Sequence, residues 1–352
     1  MKNQDVQKID NLQRIERDSL GIRWNITRFC NYSCDFCIQG SKEEKRKAAQ
    51  TESSDTRKKI ANKLTVWIEQ NISASQIVDL SIIGGEATAL PDFLETMSTL
   101  VNCQFKGMIY FHLTTNFFRS SKYLTDLCNL FNGHKNRILW LNASFYRNYT
   151  TPEIFDQKVR ALQRFIIHEK PFHLWQRLFS RVFGLSFVPQ LTGILHLSVG
   201  WPILDDDSYF EYMKYKEAAT QGVNVYPIIM RYYPVTLSEE VQEALKSKSK
   251  DGRIRVQTTA GDLIVFQSIQ HLGLQLEDAE TFQPMGYLCD AGQSCFSVLP
   301  DGSVIRCPSF PTPTDFHMGN ILDETFQPLK APAVCHANHC SCQYFKHIER
   351  PQ

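Results

Sequence analysis

The stretch Gly21-Ile22-Arg23-Trp24-Asn25-Ile26-Thr27 runs through Arg28 and Phe29 into Cys30-Asn31-Tyr32-Ser33-Cys34-Asp35-Phe36-Cys37. The first part reads as a short strand, and the second is a Cx3Cx2C run in the loop after it. At this cysteine frequency, chance would yield such a triplet roughly 0.01 times, so the run is not background. Three thiolates from one short loop can each ligate an iron of a cubane [4Fe–4S] cluster, leaving the fourth iron without a protein thiolate. An iron with an open position can take a small chelating ligand. Zinc is the competing reading, but it usually wants four closed ligands, and no nearby histidine completes this set.

Outward from that loop, the whole chain has 352 residues, 43% hydrophobic and 21% charged. That length corresponds to about two domains, or one large barrel with an appendage. It suffices to bury about three quarters of the unfolded surface, so cysteines are not needed to hold a core. The charge sum is 38 minus 37, or +1, which argues against a nucleic-acid binder driven by bulk charge. Met1 to Ser19 is polar and unlike a signal peptide, and no stretch approaches about 18 uninterrupted apolar residues. A reducing, cytoplasmic setting is therefore expected, where cysteine clusters bind metal or do chemistry more often than they form disulfides. Besides the first three, Cys103 and Cys128 stand alone and read as buried small hydrophobes. Six more crowd the C-terminal end, at Cys289, Cys295, Cys307, Cys335, Cys340 and Cys342.

Between the two clusters the chain alternates strands and helices. Further strands are expected at Val78–Ile83, Gly107–Thr115, Ile138–Ser144, Ile194–Val199 and Val223–Met230. A helix running to about Gln70 carries Ile60, Leu64, Trp67 and Ile68 on one face, and others cover Pro91–Val101 and about Pro152–His168. This alternation favours a parallel α/β sheet or barrel, with six strands between Gly21 and Arg231 rather than eight. Leu237–Ser247 reads as a helix and Arg253–Ser268 as a hairpin, and from Gly286 the chain is loop-rich. An insertion at 170–191 places Leu174, Trp175, Leu178, Phe179, Val182 and Phe183 at helical spacing. It reads as a helix packed on the exterior, with membrane-surface or partner contact through 172–187 as the alternative. His196 reads as a core histidine that could instead face a substrate, and Lys42–Lys47 as a solvated face.

With Phe36 ahead of its last cysteine, the Cys30–Cys34–Cys37 run resembles the Cx3CxΦC motif of the radical S-adenosylmethionine (radical SAM) enzymes. The resemblance implies a [4Fe–4S] cluster on these three cysteines, whose open iron chelates the amino and carboxylate groups of SAM. Gly84-Gly85-Glu86, ending the second strand, resembles the family's GGE motif, which binds the methionyl amine. Glycines let a backbone approach closely and a carboxylate pairs with an ammonium, although such a tripeptide alone is an ordinary βα turn. Thr114-Thr115-Asn116 resembles the TTN segment near the SAM ribose and methionine, and Ser144 resembles a ribose-contacting polar residue. Tyr226-Pro227-Ile228-Ile229 would present backbone to the adenine. All of these close parallel strands, where such folds build their sites.

The C-terminal spacing Cys289-x12-Gly302-x4-Cys307 resembles the opening of the SPASM and twitch extensions, which hold auxiliary iron–sulfur clusters. Cys295 fits a ligand position in some of these proteins, whereas Cys335-x4-Cys340-x-Cys342 departs from the full SPASM pattern. One auxiliary [4Fe–4S] cluster is implied, with Cys289, Cys307, Cys340 and Cys342 the preferred ligands and Cys295 and Cys335 contenders. A zinc knot using His336, His339 or His347 is the alternative.

The expected architecture is α/β: a partial (β/α)6 TIM-type barrel with a small Cys-rich α+β twitch-like extension. A polar leader spans 1–19, the radical SAM core 20–235, a linking helix and hairpin 236–285, and the auxiliary domain 286–352. The resemblance implies reductive cleavage of SAM to a 5′-deoxyadenosyl radical that abstracts hydrogen from an unactivated C–H. Net oxidation or bond formation, assisted by the auxiliary cluster and fed by a flavodoxin or ferredoxin, is expected. The 29 residues before Cys30 tilt the substrate toward a small molecule rather than a peptide. A peptide maturase, crosslinking or epimerising with a separate recognition protein, is the alternative. A non-catalytic Fe–S or zinc scaffold that binds a partner or membrane is a third reading, against which Gly84-Gly85-Glu86 argues.

Overall fold

In strand β1 (Ser19–Thr27), Leu20, Ile22, Trp24 and Ile26 are buried while Arg23 and Asn25 stay half-exposed, the period-two pattern that makes this segment a strand. The computed structural model describes residues 19–34, 37, 41–169, 191–219, 221–230, 237–238, 240–241, 244, 255–257, 263–265, 285–307, 316–336 and 348–349. Strands β2 (Ile77–Gly84), β3 (Met108–Thr115), β4 (Arg137–Ser144), β5 (Leu195–Ile203) and β6 (Asn224–Met230) follow in chain order. Each pairs in parallel with the one before it, giving six adjacent parallel strands as the alternation predicts.

The sheet continues beyond both edges. On β6 sits β7 (Arg255–Gln257), parallel, then β8 (Leu263–Val265), antiparallel. The predicted hairpin thus docks on the barrel sheet, and its turn lies outside the described residues. On β1 sits β9 (Cys295–Val298), parallel, followed by the antiparallel strands β10 (Ser303–Ile305) and β11 (His317–Asn320). The sheet therefore runs β8-β7-β6-β5-β4-β3-β2-β1-β9-β10-β11. A separate small sheet joins Leu288–Cys289 to Ala333–Val334 and Ile348–Glu349.

Helices α1 (Lys42–Thr51), α2 (Ser54–Asn71), α3 (Phe93–Val101), α4 (Ser121–Asn129), α5 (Pro152–Ala161) and α6 (Asp206–Ala218) fill the crossovers. On α2, Ile60, Leu64, Trp67 and Ile68 are buried, as their spacing predicts. Trp67 packs edge-on against Phe296, 5.5 Å between centroids, so the barrel and the C-terminal hairpins share one hydrophobic core. Two helices lie outside the sequence reading. In α4 the polar Ser120 N-cap precedes buried Leu124, Leu127 and Cys128; in α6 the buried face is Tyr209, Tyr212 and Tyr215, which weakens any aliphatic period.

Several expectations change. The helix expected to reach His168 ends at Ala161; a 3-10 turn, Gln163–Phe165, follows, and His168–Glu169 pairs with Leu191–Thr192 as the stem of the insertion. The insertion's apolar residues, and most of the helix expected at Leu237–Ser247, lie outside the described residues. The Lys42–Lys47 run is not wholly solvated: a Ser41–Glu44 capping box starts α1, and Lys45 and Ala48 are buried on its inner face. Cys128 is buried as expected, but Cys103 is half-buried and accepts from Arg137 Nη2 at 3.3 Å. No helix among the described residues is long and apolar enough to cross a membrane.

Candidate functional site

The cysteine loop sits on glycine. Gly85 N–H donates to Thr27 O at 2.7 Å, and Glu86 N–H donates to Phe29 O at 2.7 Å. A Cβ on Gly84 would lie 2.1 Å from Thr27 O, and one on Gly85 would lie 1.9 Å from Phe29 O. Gly84 also has φ +137°, a conformation that L side chains rarely adopt. The end of β2 is therefore the seat on which the chain leaves β1 and enters Cys30. From the other side Glu52, between α1 and α2, accepts from Thr27 Oγ1 and from Arg28 N–H, the latter at 2.9 Å.

Glu86 lies inside this seat, 1% exposed. Its Oε1 accepts from Thr88 N–H at 3.1 Å, Thr88 Oγ1 at 2.5 Å and Thr115 Oγ1 at 2.8 Å. Its Oε2 accepts from Asn116 N–H at 2.6 Å. Burial pushes the carboxyl above its usual range, and these four donors pull the other way. Asn116 then reaches the cysteine loop itself, donating from Nδ2 to Asn31 Oδ1 at 2.9 Å. The next residue, Phe117, has φ +58°, and Lys158 Nζ holds its carbonyl at 2.7 Å. Gly84, Gly85, Glu86, Thr115 and Asn116 are thus brought together beside the cysteine loop.

Cys30, Cys34 and Cys37 are half-buried in that loop, with Cys37 N–H donating to Cys34 O at 3.0 Å. Burial raises the Cys30 thiol, opposed by Tyr32 N–H, which donates to its Sγ at 3.4 Å, and by the charge of Lys45. Phe36 lies outside the described residues. Ser144 is buried at the end of β4 and hydrogen-bonds the Tyr146 hydroxyl, which burial and the nearby Cys34 make harder to ionise. Tyr226 turns its side chain inward, donating from Oη to Asn142 Oδ1 at 2.5 Å.

Three tyrosines were not singled out from sequence. Tyr32 stacks on Tyr149 at 3.9 Å and 7°, and meets Tyr146 edge-on at 6.1 Å. Ser33 N–H donates to Tyr149 Oη at 2.8 Å, so the turn after β4 clamps the cysteine loop. A small cavity of about 50 Å³ opens beside Cys34, between Tyr146, Tyr149, Trp201 and Ser208. The available signal was position alone: Tyr32 inside the cysteine run, and two tyrosines just after Ser144.

On the strand face opposite the buried helices, neighbouring residues in register form a row. Trp140 lies between His112, at 5.1 Å, and His196, at 4.9 Å. Trp140 is 39% exposed, so this row is open to solvent. His112 Nε2 lies 3.1 Å from Asp79 Oδ1, off the hydrogen-bond direction and so an ionic contact at most. His196, read as a core histidine, instead faces this row. Burial and His112 both lower its pKa.

Near the C-terminus, Cys289, Cys295, Cys307 and Cys335 gather in one buried cluster with Ala291 and Phe316. Cys340 and Cys342, preferred as ligands from spacing, lie outside the described residues. Among the described residues no three Cys, His, Asp or Glu side chains meet at single-ion spacing. A cubane takes one thiolate per iron corner and spreads its ligands wider than a single ion does. Both cysteine groups thus have a donor chemistry that suits iron–sulfur clusters: a three-thiol loop, and a four-thiol nest.

The family model for the radical SAM superfamily matches residues 24–138, which contain the cysteine loop, Gly84–Glu86 and Thr115–Asn116. No curated protein sequence matches the chain. Solved structures similar to it include anSMEcpe with bound AdoMet, at TM-score 0.46 and 14% identity, covering 87% of this chain and 79% of that one. Another is SuiB from Streptococcus suis, at TM-score 0.43 and 11% identity, covering 93% and 71%. A third is BtrN in an open conformation, at TM-score 0.35 and 10% identity, covering 86% and 74%. Residues 24–138 of this chain thus carry the match to the radical SAM superfamily.

Proposed function

We propose that this protein is an enzyme that cleaves SAM reductively and abstracts hydrogen from an unactivated C–H position of a small-molecule or peptide substrate. The radical SAM match over residues 24–138 supports the [4Fe–4S] cluster and SAM. When bound, they supply the electron and the 5′-deoxyadenosyl radical that take the hydrogen. The chain's own residues do the holding. Cys30, Cys34 and Cys37 would ligate three irons, and Gly84 and Gly85 seat their loop. Glu86 would face the methionyl ammonium with the capacity left on Oε2, while Thr115, Asn116 and Ser144 line the sugar side. The observation carrying this reading is the bond from Asn116 to Asn31, which joins the GGE- and TTN-like segments to the cysteine loop.

The segments 20–235 and 286–352 would act as core and auxiliary domain. A second [4Fe–4S] cluster would draw its ligands from Cys289, Cys295, Cys307 and Cys335, which are buried together, and from Cys340 and Cys342, which lie outside the described residues. It would take the second electron of a net oxidation, with a flavodoxin or ferredoxin as the electron source. The open row His112–Trp140–His196 supports a substrate lying along this sheet face.

Anaerobically reconstituted protein with dithionite and SAM is expected to release 5′-deoxyadenosine, and a Cys34→Ala variant is not. Equal release from both would overturn the reading. Iron analysis checks the second cluster: a total of only about four irons per chain would remove it.

A further inference from the structure

We propose that Arg306 is the counter-charge of the auxiliary cluster, a guanidinium built into the four-cysteine nest to offset the anion formed there. The inference rests on the auxiliary-cluster reading and goes beyond it by assigning a residue outside the cysteine set.

Arg306 immediately precedes Cys307 and is 5% exposed. Its Nη1 donates to Val334 O at 3.1 Å; its Nη2 donates to Ala333 O at 3.0 Å and to Cys289 O at 3.3 Å. The guanidinium carbon lies 5.0 Å from the centroid of Phe316, which is packed in the same cluster as the four cysteines. Nε is buried without a hydrogen-bond partner, and among the described residues no carboxylate pairs with the side chain. The positive charge is therefore held by carbonyl dipoles, one of them that of Cys289, and by an aromatic face of the cysteine cluster.

A buried cation without an anion costs several kcal/mol even when some of its protons are bonded. Arg137 shows what a purely structural buried arginine looks like in this protein. It is 2% exposed, and its Nε, Nη1 and Nη2 all donate, to the carbonyls of Val101, Cys103, Phe105, Gly107 and Asn136. Arg306 is less completely bonded, and it holds the backbone of Cys289 and the ring of Phe316, both members of the cysteine cluster. Ionised and iron-bound, four thiolates and four sulfides outweigh the charge of four irons, so the nest becomes anionic and more so on reduction. At short range in a low-dielectric interior, a fixed cation stabilises the more negative, reduced form most.

The test uses the full chain with Cys30, Cys34 and Cys37 all changed to alanine, leaving the auxiliary cluster as the iron site. Iron content and an EPR-monitored redox titration compare this parent with Arg306→Lys and Arg306→Gln. The glutamine variant is expected to shift the one-electron equilibrium toward the oxidised form at least tenfold, a fall of 59 mV. The lysine variant, which keeps the charge but loses the fork, stays close to the parent. Equal potentials for parent and glutamine variant, or equal shifts for glutamine and lysine, would overturn the proposal. Should glutamine prevent cluster uptake, retention by lysine supports the counter-charge, and loss by both reduces Arg306 to a backbone pin. A parent without iron would instead strike the auxiliary-cluster reading itself.

Discussion

Asn116 Nδ2 donates to Asn31 Oδ1 at 2.9 Å, so the turn that ends β3 is bonded directly to the loop between Cys30 and Cys34. The same residue's backbone N–H donates to Glu86. Strand ends separated by many residues thereby share one hydrogen-bonded system, and a change in any member reaches the cysteine loop.

Replacing Asn116 by alanine keeps its backbone bond and removes the tether. The expected cost is about 1 kcal/mol of stability, with faster loss of iron to a chelator. Thermal unfolding and iron release measure both. Iron release at the wild-type rate would show that the tether does not hold the loop.

Glu86→Gln tests the buried acceptor. Either amide orientation sets an N–H against a backbone N–H, that of Thr88 or that of Asn116, because each carboxylate oxygen accepts one of them. A buried unsatisfied donor costs about 1–3 kcal/mol. Urea unfolding of the iron-free protein should show that loss, and binding titrations should show weakened SAM affinity. An unchanged midpoint would refute the acceptor role.

Gly85→Ala places a methyl group 1.9 Å from Phe29 O, a backbone atom that cannot move aside alone. The cysteine loop must lift off its seat. The variant is expected to fold less stably and to bind far less iron on reconstitution. Gly133→Ala is the control, since a Cβ there meets nothing and only its φ of +86° opposes it. Full iron loading of Gly85→Ala would contradict the seating geometry.

His196 has a lowered pKa because of burial first and the neighbouring His112 second. With the folded value below the unfolded 6.5, the unfolded chain binds the proton more readily as pH falls. Stability is therefore present above about 6.5 and lost as pH drops through the folded value. Urea midpoints from pH 7.5 down to 5 should decline, and His196→Asn should flatten part of that decline. Parallel profiles for the two proteins would remove His196 as a cause.

Much of the site was legible because it rests on short-range pattern. Three cysteines in one loop, two glycines before a glutamate and a threonine–asparagine strand end are all local signals. Ile60, Leu64 and Trp67 likewise announced their buried face by period. The tyrosine clamp was not legible, because Tyr149 meets Tyr32 only when the loops after β1 and β4 come to the same end of the sheet. Lys45 escaped for a similar reason: in a charged run, one position per turn faces inward, and only packing selects which. Spacing named six C-terminal cysteines without showing which meet, and burial gathered Cys295 and Cys335 with Cys289 and Cys307.

The amino-acid sequence by itself determined the alternation of parallel strands with helices and the cysteine loop after the first of them. These follow from periodicity and from residue chemistry at fixed short spacing. Tertiary structure alone decided that β9 adds to the free edge of β1, so that Gly21 pairs with Cys295. It also decided that Asn116 holds Asn31 and that Arg306 holds the Cys289 carbonyl and the Phe316 ring beside the four-cysteine cluster. Such contacts join residues far apart in the chain, and their partners are chosen by which strand edges pair and which side chains must be buried together.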